Sequence, residues 1–245
     1  MSKQAEQNYL AAIGEGGRAH SLNKPFSDMY CAINLASIGT IMALLPPPPA
    51  RILDLGCGGG WTSAFMARAG YTVVGQDIAQ DMIDLAYETR ALHHLDDRLT
   101  FICGDYETLD MDGQFDAVLF FDCLHHADDE RAALASAYRA LRPGGILITH
   151  EPGEGHATSP GSIEAMRLYG VNERDMPPHL IIAQGLAIGF SSPRVLPMQH
   201  ELMTIFYEDK APPLFSKAAW LRAKRVLRAA FRPSHRDSAI VVLTR

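Results

Sequence analysis

A run of glycines follows a short apolar segment near the start of the chain, in the sequence Ile52-Leu53-Asp54-Leu55-Gly56-Cys57-Gly58-Gly59-Gly60. Glycine allows positive φ angles and lets a ligand approach the backbone closely. The residues from Trp61 onward have a helix-like composition, and the N-terminus of a helix offers N–H groups without partners. The segment therefore predicts a turn that binds a nucleotide-like ligand.

The residues around this turn narrow the choice of ligand. A dinucleotide fingerprint needs a small residue where Trp61 stands, and a phosphate-binding P-loop needs a Lys that does not follow these glycines. Asp54 would repel a pyrophosphate and attract a cationic group. Asp77 ends the next apolar segment, where its carboxylate could accept hydrogen bonds from both hydroxyls of a ribose. The pattern favours a nucleoside with a cationic tail.

Strands and helices alternate along the part of the chain that carries these residues. The sequence predicts strands at 51–55, 72–76, 98–103, 115–121 and 144–150, and helices at 61–69, 80–94 and 128–141. Continuous apolar runs are typical of strands covered by helices on both faces. The expected fold class is α/β, with a doubly wound, seven-stranded, mostly parallel sheet and an antiparallel last strand. Two final strands at 200–207 and 238–244 are predicted to pair at the edge of the sheet.

The remaining segments surround this sheet. Residues 1–49 are predicted to form a helical N-terminal cap with two helices, the second of which the four prolines at 46–49 would end. Residues 50–245 are expected to form the ligand-binding domain. It would carry one insertion at 155–190, after strand five, and another at 211–234, after strand six.

Composition restricts the class of protein. The chain has 245 residues, 47% of them hydrophobic, which is enough for a full core. A net charge of −6 provides no overall attraction to nucleic acid or to an anionic membrane. The four cysteines form no CxxC pair, which is typical of reduced thiols in the cytoplasm. The polar N-terminus lacks the features of a signal peptide, and no apolar stretch is long enough to span a bilayer, so we expect a soluble cytoplasmic protein.

Five motifs occur in an order that resembles the class I S-adenosylmethionine-dependent methyltransferases. They are Asp54 to Gly60, Asp77, Gly104-Asp105-Tyr106, Phe115-Asp116-Ala117-Val118 and Leu141-Arg142-Pro143-Gly144-Gly145. The resemblance covers about residues 50–150 and the closing strands. It implies a methyltransferase with this fold and with S-adenosyl-L-methionine as methyl donor, which leaves as S-adenosyl-L-homocysteine.

The resemblance also implies where the cofactor binds. The glycine turn would wrap the methionine part, Asp77 would bind the ribose, and Asp105 with Tyr106 would border the adenine. The full set of expected cofactor-binding residues is Asp54, Gly56, Cys57, Gly58, Asp77, Ile78, Gly104, Asp105, Tyr106, Phe121 and Asp122.

Polar residues follow predicted strands four and five, at the sheet edge where a methyl acceptor would approach. A hydroxyl acceptor needs a base near its proton, and imidazole is suited to this role at neutral pH. The candidate catalytic residues are His125, His126, His150 and Glu151. A structural role for the adjacent histidines, or ordinary loop polarity, is the alternative interpretation.

A metal would also be compatible with this edge. Asp122, His150, Glu151 and His156 are residue types that could hold a divalent ion around a diol acceptor. Their spacing does not require one, so the sequence predicts no metal site.

The acceptor is the least determined feature. The insertion at 155–190 is expected to form a substrate lid, and the N-terminal segment with Tyr9, Arg18, His20 and Tyr30 is expected to close the other side. The lid segment resembles enzymes that methylate sugars of cell-surface glycans. A small molecule, methylated on a hydroxyl of a sugar or another hydroxylated metabolite, is therefore the preferred acceptor.

The segment 215–232 carries six basic residues and no acidic residue, interleaved with apolar ones. This pattern predicts a basic amphipathic helix, which could contact a membrane surface peripherally, bind nucleic acid or simply face solvent. An RNA or protein methyltransferase is thus one alternative function. The Asn/Asp-Pro-Pro-Tyr/Phe signature of base amino-methylation is absent after strand four, which disfavours nucleic acid as a partner. The other alternative is a non-catalytic cofactor-binding regulatory subunit, since fold does not prove activity.

Overall fold

The computed structural model describes residues 3–208 and 212–245, and its centre is a seven-stranded sheet. The strands are β1 (Arg51–Leu55), β2 (Thr72–Asp77), β3 (Leu99–Cys103), β4 (Phe115–Phe121), β5 (Leu141–Glu151), β6 (Ser191–Pro197) and β7 (Ala239–Thr244). Their order across the sheet is β3-β2-β1-β4-β5-β7-β6. Strands β1 to β5 pair in parallel, whereas β7 is antiparallel to both β5 and β6. The predicted fold class is confirmed.

Helices cover both faces of the sheet, which explains the continuous apolar strands. These helices are α3 (Cys31–Leu44), α4 (Trp61–Arg68), α5 (Gln80–Leu92), α6 (Glu130–Ala140) and α8 (Pro178–Ile188). One core contains Ile41, Met66 and Ile83 from α3, α4 and α5. The other contains Leu134 and Ile181 from α6 and α8. Burial on both faces removes apolar strand residues from water and stabilises the sheet, at about 25 cal/mol per Å².

The N-terminal segment packs beside the carboxyl ends of the first strands. It contains α1 (Lys3–Gln7) and α2 (Tyr9–Leu22) in addition to α3. The described part of the cap 1–49 therefore has one helix more than predicted. Leu10 of α2 is buried together with Met82 and Leu85 of α5, which fixes the cap over the glycine turn. Residues 1 and 2 of the cap, and residue 211 of the segment 211–234, lie outside the described residues.

Two insertions extend the sheet edge. Between β5 and β6 lie α7 (Pro160–Tyr169), an extended stretch and then α8. Between β6 and β7 lie α9 (Gln199–Met203), a π-helical turn (Thr204–Glu208) and α10 (Lys217–Phe231). The helical character expected for 160–190 and for the basic segment is thus observed.

One strand prediction was wrong. Residues 200–207 are helical, and the sixth strand is β6, at 191–197. Strand β6 lies at the sheet edge and pairs on one side only, so it tolerates Pro193 and shows little apolar alternation. The apolar residues after it instead form a helical turn that buries Ile205.

Within residues 3–208 and 212–245, no helix combines the length and the apolar composition needed to cross a bilayer. All four cysteines are free thiols.

Candidate active site

The glycine turn between β1 and α4 requires glycine for two separate reasons. Gly56, Gly58 and Gly60 all have positive φ angles, at 65°, 50° and 80°. A Cβ atom on Gly56 would lie 2.6 Å from the Cβ of Cys123, and one on Gly60 would lie 2.8 Å from the ring of Phe101. A Cβ on Gly58 would meet no other atom within 4 Å. The turn is thus closely packed beneath, while its backbone at Gly58 borders a cavity.

Asp77 holds this turn in place from the end of β2. Its Oδ2 accepts a hydrogen bond from the Gly58 N–H at 2.8 Å, and its Oδ1 accepts one from the Ala79 N–H at 3.0 Å. Burial raises the pKa of the carboxyl group above its ordinary value, and these backbone N–H bonds oppose the rise. Asp77 also lines the cavity, so its remaining lone pairs are available to hydroxyls of a ligand.

Asp54 lies beneath the turn and does not line the cavities described below. Its Oδ2 accepts hydrogen bonds from the hydroxyls of Thr62 at 2.6 Å and Ser63 at 2.5 Å. Its Oδ1 is buried and has no hydrogen-bond partner among the described residues. Burial raises the pKa of this carboxyl to about 6, although the Ser63 and Thr62 hydroxyls lower it. Asp54 therefore fixes the start of α4 against β1.

Two adjoining cavities open at the carboxyl end of the sheet, with volumes of about 230 and 350 Å³. Both are lined by the glycine turn, by Tyr9 and Lys24 from the N-terminal segment, and by Asp122 after β4. Asp77 lines the smaller cavity and Trp61 the larger one. Their size is in the range of small-molecule sites, which is roughly 300 to 1,000 Å³.

The smaller cavity extends towards the turn after β3. Asp105 and Tyr106 line it, and the Tyr106 hydroxyl donates to the carbonyl of Cys123 at 3.1 Å. Lys3 of α1 forms ion pairs with Asp105 at 2.5 Å and with Glu107 at 2.7 Å. The N-terminal helix is thereby anchored across this end of the cavity. Gly104 lies beside it, and its carbonyl accepts a hydrogen bond from Gln76.

His150 lies at the inner wall and has both ring nitrogens engaged. Its Nδ1 is 3.0 Å from Oδ1 of Asp122, and its Nε2 is 3.1 Å from the hydroxyl of Ser37. Its ring stacks on Phe121 at 4.4 Å. Burial alone would lower the pKa of His150, but the Asp122 carboxylate raises it. These contacts orient Asp122, whose backbone has a φ of +50°, towards both cavities.

Glu151 is fully buried at the end of β5 and holds the short helical turn Leu124–His126. Its carboxylate accepts the backbone N–H groups of Cys123, Leu124 and His125 at 3.1, 2.8 and 3.3 Å. It also lies 2.7 Å from Nδ1 of His125. Burial alone would lower the pKa of His125, but the Glu151 bond raises it. Because its oxygens are occupied, Glu151 is a positioning residue for His125.

His126 is the histidine of this turn that lines the smaller cavity. Its Nδ1 lies 2.5 Å from the carbonyl oxygen of Asn172 and 3.7 Å from a carboxylate oxygen of Glu6. Since a carbonyl only accepts, Nδ1 carries the proton and the lone pair belongs to Nε2. Burial and the charge of His125 lower the pKa of His126 to about 4.

Two carboxylates that the sequence analysis did not select complete this side of the site. Glu6 of α1 lines the cavity, and burial raises its pKa to about 7. Glu173, from the extended stretch after α7, lies 2.6 Å from Nε2 of His156 and 3.6 Å from Nε2 of His125. One ligand-type atom from each of His125, His126 and Glu173 lies within 4.8 Å of the others. These three residues could hold a metal ion.

Comparisons with known proteins agree with this architecture. Residues 53–149 match the family model described as a methyltransferase domain. The chain is 34% identical over 149 residues to a ubiquinone biosynthesis O-methyltransferase of Xanthomonas axonopodis pv. citri (strain 306), which covers 59% of each chain. It is 33% identical over 102 residues to a malonyl-[acyl-carrier protein] O-methyltransferase of Serratia marcescens, or 41% of this chain and 38% of that one. The chain thus spans about three fifths or less of the length of these relatives.

A solved structure has the same fold. Phosphoethanolamine N-methyltransferase 2 of Haemonchus contortus, in complex with S-adenosyl-L-methionine, aligns with a TM-score of 0.66 at 19% identity. The alignment covers all of this chain and 59% of the other. The chain belongs to the class I S-adenosylmethionine-dependent methyltransferase family.

Most of the residues predicted to bind the methyltransferase cofactor meet at one place. Gly56, Gly58, Asp77, Ile78, Asp105, Tyr106 and Asp122 line the smaller cavity, and Cys57 and Phe121 line the larger one. Asp54 and Gly104 lie in the layer behind them. The residues fit the cofactor, because the Gly58 backbone faces open space and the Asp77 carboxylate borders it.

Sequence reasoning missed the residues that reach this methyltransferase site from a distance. Lys3, Glu6 and Lys24 come from the N-terminal segment, and Glu173 from the insertion after β5. None of them adjoins a strand end or a glycine turn, so no local pattern marks them. Of the aromatic and basic residues expected near the cavity, Tyr9, His20 and Tyr30 line it, whereas Arg18 pairs with Glu88.

Proposed function

We propose that this chain transfers a methyl group from S-adenosyl-L-methionine to a hydroxyl oxygen of a small molecule. One observation carries the proposal: the cavity that joins the Gly58 backbone and the Asp77 carboxylate ends at His126. A cofactor site and a residue able to handle a proton therefore share one space. The O-methyltransferases among the relatives support the same type of acceptor atom.

Residues on three sides would hold the cofactor. Asp77 would accept hydrogen bonds from the two ribose hydroxyls, while the turn at Gly56 to Gly58 leaves room for the methionine part. Asp105 and Tyr106 would border the adenine. Lys24, which lines both cavities, would place its positive charge near the cofactor carboxylate. Lys24 was not predicted from the sequence.

When bound, S-adenosyl-L-methionine supplies a methyl group on a positively charged sulfur, which leaves with the bonding electron pair as a neutral thioether. The chain then has two tasks. It must hold the acceptor oxygen in line with that methyl group, which supplies much of the rate through proximity. It must also accept the hydroxyl proton, and we assign this task to His126, because its Nε2 is the free ring nitrogen beside the cavity.

The other three predicted catalytic residues act through contacts. Glu151 orients His125, and His125 packs against His126 with ring centroids 4.1 Å apart. His150 orients Asp122. We therefore propose that His125, His150 and Glu151 are positioning residues.

The acceptor is proposed to be a hydroxylated metabolite, with a sugar as one such class. The cavity wall offers the carboxylates of Glu6 and Asp122 and the hydroxyl of Tyr9, which could orient further hydroxyl groups. The insertion after β5 contributes Asn172 and Glu173 near this wall, in agreement with a substrate lid. The free cysteines support a reducing compartment, the cytoplasm.

The test is a pair of measurements on the purified chain. Calorimetry should detect one S-adenosyl-L-homocysteine site per chain, and methylation of a panel of hydroxylated metabolites with labelled cofactor should identify an acceptor. Heat with a nicotinamide cofactor and none with S-adenosyl-L-homocysteine would refute the proposal. Tight cofactor binding without turnover across the panel would instead support the regulatory-subunit alternative. A salt-dependent shift of RNA in a gel would support an RNA methyltransferase.

We also propose that the basic helix α10 contacts an anionic membrane peripherally. None of its residues is buried, and its apolar side chains include Trp220, Leu227 and Phe231, which are 64%, 58% and 78% exposed. Exposed apolar residues beside six basic ones complement the interface of an anionic bilayer.

Vesicle flotation tests this contact. Binding to vesicles with phosphatidylglycerol, but not to neutral vesicles, is expected, and Leu227→Glu should abolish it. Leu92→Glu is the matched control, because Leu92 is 63% exposed on a different helix. Equal binding of both variants would argue against α10 as the contact.

A further inference from the structure

Four side chains meet beside the cavity at the carboxyl edge of β4 and β5. They are His125 and His126 from the turn after β4, and His156 and Glu173 from the insertion after β5. The Oε2 atom of Glu173 is 2.6 Å from Nε2 of His156 and 3.6 Å from Nε2 of His125. We propose that this His-Glu cluster binds a divalent transition-metal ion, with His125, His126 and Glu173 as ligands and His156 as a further one.

The first argument is the orientation of the two adjacent rings. Nδ1 of His125 is 2.7 Å from the buried carboxylate of Glu151, and Nδ1 of His126 is 2.5 Å from the Asn172 carbonyl. Both partners accept hydrogen bonds, so each Nδ1 donates and each Nε2 keeps its lone pair. A carboxylate or backbone carbonyl behind the imidazole is the arrangement that fixes the tautomer of metal-binding histidines.

The second argument is the rigidity of this support. Glu151 is held by three backbone N–H groups of the turn that carries the histidines. Its carboxylate therefore cannot turn away from His125 without breaking that turn. Outer partners of this kind are part of most metal sites, and they raise the basicity of the ligand.

The third argument is the donor set. Imidazole nitrogens with a carboxylate suit zinc and similar ions, whereas magnesium and calcium favour oxygen ligands alone. Donor atoms around a tetrahedral zinc ion lie roughly 3.4 Å apart, given bonds of about 2.1 Å. The donors here lie within 4.8 Å of one another, so Glu173 must move closer when the ion binds. Glu173 is on an extended stretch, where a change of side-chain rotamer can supply this movement.

The location indicates a role, and this part rests on the proposed function. His126 lines the cavity, so a coordination position left open by the protein would face the acceptor. A hydroxyl bound there would lose its proton more readily, because the positive charge of the ion stabilises the resulting alkoxide. The acceptor would thus be a small molecule with a hydroxyl able to bind the ion.

The test is a titration of chelator-treated protein with Zn²⁺ in competition with a chromophoric chelator. One equivalent per chain is expected to bind. Glu173→Gln should weaken the affinity by about 100-fold, and Glu151→Gln by about 10- to 100-fold through loss of the partner of His125. The matched control is the double variant His93→Ala/His94→Ala, because these two histidines are also adjacent but exposed. Its affinity for Zn²⁺ should not change.

Calorimetry with S-adenosyl-L-homocysteine on every variant separates the two proposals. An unchanged affinity shows that the variant is folded and that the cofactor site is intact. If Zn²⁺ does not bind, or binds Glu173→Gln as tightly as the unmodified chain, the metal site is refuted and the cluster is an internal ion-pair network. Absence of S-adenosyl-L-homocysteine binding with Zn²⁺ binding retained would refute the proposed function and leave the metal site standing.

Discussion

The cofactor half of the site and the acceptor half are built in different ways. The cofactor half consists of the turn Gly56 to Gly60 and Asp77, which follow adjacent strands and are connected by backbone hydrogen bonds. The acceptor half consists of side chains from α1, from the turn after β4, from β5 and from the insertion after β5. The first half depends on backbone shape and the second on side chains held by other side chains. Substitutions should therefore affect the two halves separately.

The largest expected effect separates chemistry from cofactor binding. His126→Asn retains an N–H group near the Asn172 carbonyl but removes the ring nitrogen that faces the cavity. Turnover should fall by about 100- to 10,000-fold, the usual contribution of a proton-transfer group. Affinity for S-adenosyl-L-homocysteine, measured by calorimetry, should stay within about twofold. His94→Asn, at an exposed histidine, is the control, and a parallel loss of cofactor affinity would contradict the division into halves.

The reciprocal substitution acts on the cofactor half. Asp77→Ala removes the acceptor for the ribose hydroxyls and for the Gly58 N–H. A loss of about 100-fold in S-adenosyl-L-homocysteine affinity is expected, since bonds to a charged group contribute about 1.5 to 3 kcal/mol each. Calorimetry measures this, with Asp84→Ala on the exposed side of α5 as control. Equal affinity of both variants would exclude Asp77 as a cofactor ligand.

Backbone shape in the cofactor half can be tested through stability. Gly56→Ala and Gly113→Ala both place a side chain at a positive φ, but only the first meets other atoms, at 2.6 Å from Cys123. Gly56→Ala should therefore cost about 1 to 3 kcal/mol more than Gly113→Ala, the typical penalty of overpacking. Urea unfolding of both variants measures this difference. A similar cost for the two would mean that the φ angle alone explains the glycine.

The smallest effect concerns the boundary between the halves, where Asp122 pairs with His150. Burial opposes ionisation of both groups, but their mutual attraction lowers the pKa of Asp122 below 3.8 and raises that of His150 above 6.5. Glu151 also favours the charged form of His150, and His125 and Lys24 favour that of Asp122. The carboxylate contribution is lost as pH falls through the pKa of Asp122, and the imidazolium contribution is lost as pH rises through that of His150.

The pair should thus stabilise the protein most between pH 3.8 and 6.5, by less than about 1 kcal/mol, since water reaches the Asp122 side chain, which is 46% exposed. The stability gap between the unmodified chain and Asp122→Asn, measured by urea unfolding across pH, should shrink above pH 6.5. Asp97→Asn, at an exposed position, should give no such profile. A gap that is independent of pH would show that the two groups are not paired as ions.

Local patterns in the sequence were sufficient for the parallel part of the fold. Strands β1 to β5 and helices α4 to α6 were predicted within a few residues, because burial on both faces leaves continuous apolar runs. The same reasoning failed at β6, where pairing on one side only leaves no clear period. In the site, it selected Gly56, Gly58 and Asp77, whose roles follow from their place at strand ends.

The sequence by itself determined the fold class and the cofactor half, because turns and strand ends are local and impose residue types directly. Only the tertiary structure decided the acceptor half. It brought Glu6 to within 3.7 Å of His126, and Glu173 to within 3.6 Å of His125, from segments far apart in the chain. It also showed that Asp54 supports the turn from below, and that Glu151 and His150 have their polar atoms engaged by neighbours. The physical reason is that such contacts depend on how separate elements pack, and packing leaves no regular spacing in the sequence.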